Sequence, residues 1–243
     1  MLALQGKRAL VTGAGKRVGA EIAVALGEQR MRVAVHYQRS AAGAQATCER
    51  IRGSGGEAHP VQGDLRDRSS ARAVVDRALA LLGGLDLLVL SAASFERVPF
   101  AQIEDRDWDE TLALNLTAPL VMAQQAVAAL RAARGSIVLI TCISRVVPYR
   151  DYLPYETSKA ALHQLMRLLA LELAPEVRVN AVAPGMALPP EGWDPQHNAE
   201  LIQRIPLRRA GTARDVADAV VHLAQSEWLT GTEIPVDGGR SVA

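Results

Sequence analysis

The sequence predicts an α/β protein: one doubly wound, seven-stranded, mainly parallel sheet with helices on both faces. Three observations lead there. Short β-branched or leucine-rich runs alternate with longer amphipathic segments along all 243 residues, the rhythm of strand-helix-strand units. The first run closes in a glycine-bearing turn, "TGAGKRVG", that opens directly into a helix. The chemically distinctive motifs fall after strand ends, where such a sheet opens its ligand crevice.

In chain order, the apolar run at 8–12 is the first strand and the alanine- and valine-rich segment at 18–29 its helix. "RVAVH" at 32–36 is the second strand, followed by a helix at 41–52. The third strand spans 57–61, with a helix at 68–82. "LLVL" at 87–90 is the fourth, followed by a long helix over 105–131. "SIVLIT" at 136–141 is the fifth, and an alanine- and leucine-rich helix over 153–173 leads to the sixth at 178–182. A helix at 213–225 and a strand at 233–236 close the pattern. The chain reads as one domain over 1–243. Its one long irregular stretch, 184–206, begins "PGMALPPEGWDPQHN" and is too rich in proline and glycine for a plain connector. It is expected to cover a substrate.

Composition excludes several classes of function. Twenty-seven basic against 26 acidic residues leave a net charge of +1, and no basic stripe is interleaved with aromatics, so no nucleic-acid partner is expected. The longest apolar stretch is broken by Gly83, Gly84 and Asp86 and reads as helix, turn and strand, with no membrane span or signal peptide. Cys48 and Cys142 are too few for a disulfide framework and fit a reducing cytoplasm. The five histidines form no metal-ligand pattern, and no metal is expected.

Gly13, Gly15 and Gly19, with Val18 at the start of the helix, make a tight turn whose backbone N–H groups face an anion. After the second strand, "HYQRS" puts Tyr37, Arg39 and Ser40 where an NAD enzyme would place a carboxylate. With Lys16 and Arg17 nearby, these cations suit the 2′-phosphate of NADPH. Asp64, in "GDL" with Leu65, is a candidate acceptor for the adenine amino group.

Tyr155 and Lys159 stand four residues apart at the start of a helix and share a face. A phenol titrates near 10, and a neighbouring cation would stabilise its phenolate. The pair is therefore a candidate for proton transfer.

The glycine turn, Asn115 in "LNLTAP", Tyr155-x-x-x-Lys159, "RVNAVAPG" and "GTEIPVDGG" resemble the short-chain dehydrogenases/reductases over nearly the whole chain. That resemblance implies a Rossmann-type fold, with Asn115 anchoring a proton-relay water by way of Lys159. "TGAGKRVG", "HYQRSAA", "SFERVP" and "VDGGR" further resemble pteridine and dihydromonapterin reductases. The resemblance implies that Arg17 contacts cofactor phosphates and substrate, that Phe95 stacks with the nicotinamide around a flat ring, and that Ser94 lines the pocket. It also implies a homotetramer built through the long helices.

Three departures stand against that pattern. Leu90-Ser91-Ala92-Ala93 replaces Asn-Asn-Ala-Gly beside the adenosine. Cys142 occupies the position thirteen residues before Tyr155 where the family has serine, or pteridine reductases aspartate, and a thiol is a weak donor. The run Pro184-Gly185-Met186 is not followed by the threonine that many members place near the carboxamide. The expected activity is NADPH-dependent hydride transfer to a pteridine-type C=N or a carbonyl. A β-ketoacyl thioester reductase is the alternative, and a nucleotide-binding protein with little catalysis is a second.

Overall fold

The computed structural model describes residues 1–187 and 195–243, with the backbone alone for 195–198. Strands β1 (Arg8–Val11), β2 (Arg32–Tyr37), β3 (Glu57–Gln62), β4 (Leu87–Leu90), β5 (Ser136–Ile140), β6 (Arg178–Pro184) and β7 (Glu233–Val236) form one sheet. Their order is β3-β2-β1-β4-β5-β6-β7. Every neighbouring pair is parallel, with Leu10 opposite Ala34 on one side and Leu88 on the other. The sheet is thus wholly rather than mainly parallel, because each strand is returned by a crossover and no hairpin reverses one. The direction of winding changes between β1 and β4, and a crevice opens there beyond the carboxyl ends.

Side chains alternate along the strands and feed two cores. Ala9, Val11, Val33, Val35, Val89 and Val138 face α1 (Arg17–Glu28), α2 (Ala41–Gly53) and α8 (Ala213–Gln225), represented by Ile22, Leu26, Ile51, Val216 and Val220. Leu10, Ala34, Leu88, Ile137 and Leu139 face α3 (Arg68–Leu82), α5 (Ala118–Ala133) and α6 (Leu153–Leu173), through Val74, Val75, Met122, Leu130, Leu162 and Met166. With both faces covered, the strands need continuous apolar runs, and "LLVL" and "SIVLI" supply them.

Two helical regions differ from expectation. The helix expected over 105–131 is α4 (Asp105–Leu112), a π turn at Ala113–Thr117, then α5. Together Asp105–Ala133 are long and apolar enough to cross a membrane, yet Ala118, Val121, Met122, Ala126 and Leu130 are buried beneath the sheet. Helix α7 (Pro195–Gln203) falls within the stretch expected to be irregular. The expected covering loop lies partly outside the described residues, which omit 188–194.

Candidate active site

The carboxyl edge of β1 forms a cradle. Gly13 has φ +66°, and a Cβ there would lie 3.0 Å from the Cα of Ala92. A Cβ on Gly19 would sit 2.4 Å from the carbonyl oxygen of Gly13, so the helix approaches the strand as only glycine permits. Gly15 packs against Tyr37 and Ser40, and the Ser40 hydroxyl donates to its carbonyl at 3.4 Å. Thr12 joins the two halves of the sheet, its Oγ1 accepting from the N–H groups of Ser91 at 2.9 Å and Ala92 at 3.0 Å. On the β4 side the junction uses only backbone N–H groups, so it does not depend on the identity of the side chains at 91 and 92.

The first turn of α1 carries no acidic residue and no capping side chain. Lys16 and Arg17 stand exposed there instead. Cations are the wrong sign for the positive end of a helix, a penalty that an anion held at this helix start would reverse. Arg17 also has φ +54°, the left-handed region an L-residue enters at a cost. Arg39 is exposed beyond β2, and the Asp64 carboxylate beyond β3 accepts from the N–H of Arg66 at 3.0 Å. Leu65 is buried and Val18 half-buried. Gly185, after Pro184, donates to Val236 at 2.9 Å, and the Met186 carbonyl accepts from Gly211 at 2.9 Å. These residues are gathered along the carboxyl edge of the sheet, with Lys16, Arg17 and Arg39 exposed there.

His36 was not singled out by the sequence, yet it braces this cradle. Its Nδ1 accepts from the N–H of Gly13 at 3.1 Å, and its Nε2 faces the carbonyl of Gly63 at 3.1 Å. Those bonds require a neutral ring protonated on Nε2. Burial lowers its pKa to about 4, against the pull of the Gly63 carbonyl.

Past β4 and β5 lies a second cluster. Tyr155 and Lys159 are both buried on α6, and the Lys159 ammonium donates to the Ile140 carbonyl at 2.7 Å. Its Nζ lies 5.7 Å from the centre of the Tyr155 ring. Burial lowers the lysine to about 8. Burial, then the adjoining Cys142 thiol, raises the Tyr155 phenol well above 10. Desolvation is the largest cause, since burial penalises the charged phenolate. The ring therefore holds its proton.

Cys142 packs in one cluster with Tyr152 and Tyr155, and its Sγ accepts from the N–H of Ser144 at 3.4 Å. Asn115 sits in the π turn, fully buried. Its amide donates to Ser158 Oγ at 3.0 Å and to the Ser94 carbonyl at 3.2 Å, while its Oδ1 accepts from the Ser94 N–H at 3.0 Å. The Asn115 side chain is thus engaged by Ser158 and the Ser94 backbone, and the Lys159 ammonium by the Ile140 carbonyl. Phe95 stacks on Tyr152 with ring centres 4.5 Å apart and meets Tyr155 edge-on at 4.7 Å. The hydroxyls of Ser94 and Ser144 are buried with no partner among the described residues, as donors awaiting a ligand or water would be.

A sheet of this topology, with an anion cradle and a tyrosine–lysine pair on the same edge, is the frame of a dinucleotide-dependent oxidoreductase. The chain belongs to the short-chain dehydrogenase/reductase family: residues 13–241 match the family described as enoyl-(acyl carrier protein) reductase. A glucose 1-dehydrogenase of Gluconobacter oxydans is 32% identical over 98% of this chain and 92% of its own. Two solved structures share the fold over nearly their whole length. A short-chain dehydrogenase from Burkholderia cenocepacia in complex with NADP has a TM-score of 0.92 at 35% identity, covering 100% of both chains. FolM alternative dihydrofolate reductase 1 from Brucella canis, complexed with NADP, has a TM-score of 0.92 at 32% identity, covering 99% of this chain and 96% of that one. The protein is accordingly an NAD(P)-dependent oxidoreductase.

Proposed function

We propose that the protein is an NADPH-dependent reductase of a flat, conjugated C=N or C=O substrate of the pteridine type. One observation carries the reading: the Phe95–Tyr152 stack stands beside Tyr155, a flat aromatic wall at the proton donor. Arg17 at the cradle and the NADP-bound Brucella dihydrofolate reductase among its structural relatives support it.

Lys16, Arg17, Arg39 and Ser40 hold the phosphates, including the 2′-phosphate, while Asp64, Leu65 and residues 91–93 flank the adenosine. Pro184, Gly185 and Met186 border the carboxamide, and part of 184–206 covers the substrate. NADPH supplies the hydride when bound. Tyr155, held protonated by its surroundings, gives the proton to the reduced atom, and Lys159 shares the phenolate charge that results. Cys142 bonds the substrate or the phenol weakly. Asn115 fixes the Ser94 backbone and so the pocket wall.

The test is NADPH oxidation by purified protein with dihydrobiopterin or dihydromonapterin, set against acetoacetyl thioesters. Turnover of the pterins alone is expected, whereas turnover of the thioesters alone would sink the pteridine reading. The thioester alternative is motivated by the scaffold shared with carbonyl-reducing relatives, among them the 3-oxoacyl-[acyl-carrier-protein] reductase FabG of Staphylococcus aureus, 30% identical over 96% of this chain. Tyr155→Phe should lower the rate about a thousandfold while NADPH fluorescence titration stays near the parent value. A variant that reduced substrate at the parent rate would refute the assignment.

A further inference from the structure

Glu233 stands inside the GTEIPVDGG run, whose resemblance gives it no role, and His163 belongs to no motif, yet the two meet beside the tyrosine–lysine cluster. Glu233 heads β7 with 6% of its side chain exposed. Its Oε1 accepts from Thr141 Oγ1 at 2.7 Å and faces His163 Nδ1 at 3.0 Å. Its Oε2 accepts from Arg145 Nε at 2.9 Å, with Nη2 at 2.8 Å. Burial alone would push the carboxyl up, but these bonds outweigh it and hold the group below its ordinary range.

The partners are ordered along one line. Thr141 precedes Cys142 and Arg145 follows Ser144, so the carboxylate grips both ends of the segment carrying the thiol. His163 stands one helical turn beyond Lys159, which stands one turn beyond Tyr155. Helix α6 therefore meets the end of β5 in three successive rungs: Tyr155 against Cys142, Lys159 on the Ile140 carbonyl, and His163 through Glu233 on Thr141.

We propose that Glu233 is a positioning residue for the reduction, setting residues 141–145 against α6 and so fixing Cys142 against Tyr155. The inference rests on the reading of Tyr155 and Lys159 given above. An apolar residue at 233 could fill the space but would let the segment slide. A carboxylate with three directed partners holds it at one height. Removing the charge while keeping the shape turns an amide donor toward one of these partners, so that at least one of the bonds holding the segment is lost.

The experiment compares the full-length parent with Glu233→Gln, Arg145→Met and, as control, Glu57→Gln, whose carboxylate bonds Arg32 and His59 at the far edge of the sheet. Alkylation of each cysteine by iodoacetamide is followed by peptide mass spectrometry, with fully buried Cys48 reporting global opening. In Glu233→Gln and Arg145→Met, Cys142 should react about tenfold faster and kcat should fall about tenfold, since small displacements at a reacting centre are costly. Cys48 protection and the KM for NADPH should not change, and Glu57→Gln should match the parent throughout. Unaltered Cys142 reactivity, a parallel rise at both cysteines, or a parental kcat would each overturn the proposal. If the parent binds NADPH but reduces no substrate, the proposed function fails, and the alkylation rates still decide whether Glu233 fixes the segment.

Discussion

Arg17 keeps the left-handed backbone that the phosphate turn requires at a position any side chain enters with strain. Replacing it with glycine separates the backbone's need from the side chain's work. Arg17→Gly should raise stability by about 1 kcal/mol in urea unfolding while weakening NADPH binding about tenfold, as loss of one charge-assisted contact would. His36 offers a second separation. Between pH 6.5 and about 4 the unfolded chain binds a proton that the buried ring refuses. Stability is therefore lost as pH falls through that window, by about 3 kcal/mol in all. His36→Asn keeps an acceptor for Gly13 but cannot titrate, so its acid unfolding curve should be flatter over that range. A curve parallel to the parent's would mean that His36 is not the group responsible.

Among the elements, the π turn at Ala113–Thr117 matters most, because it aims Asn115 between the β4 loop and α6. Asn115→Ala leaves the Ser94 N–H and carbonyl without their partner and should cost about 2 kcal/mol in stability, with a lower kcat, measured by denaturant unfolding and steady-state rates. The seven strands and the six long helical regions were legible in the sequence because each is a local pattern of apolar spacing. A π turn changes one hydrogen-bond step and leaves that spacing nearly intact, so the sequence read 105–131 as one helix. The glycine turn and the Tyr155–Lys159 pair were equally legible, each contained within eight residues. His36, Thr12 and Glu233 were not, because their roles come from partners 23, 79 and 92 residues away. All three stand inside quoted motifs, but nothing next to them in sequence names those partners.

At the scale of the whole molecule, the outer faces of α5 and α6 carry exposed leucines, Leu120, Leu168 and Leu171, the last at 75%. Together with the family resemblance, this supports the proposal that the protein assembles as a homotetramer through these helices. The parent should sediment as a tetramer, and Leu168→Arg with Leu171→Arg should sediment as a smaller species. A monomeric parent at micromolar concentration would refute the assembly.

The reach of the contacts also sets an order of folding. The cradle is complete once residue 92 exists, with Gly13 bonded to His36 and Thr12 to Ser91 and Ala92, whereas the rung at Thr141 waits for Glu233, 92 residues further on. Long loops close late, since their entropy is lost before their contacts repay it. The phosphate cradle can thus take shape on a growing chain well before the proton-transfer cluster exists. A cofactor captured at that stage would act as a scaffold for folding before it could act as a reductant.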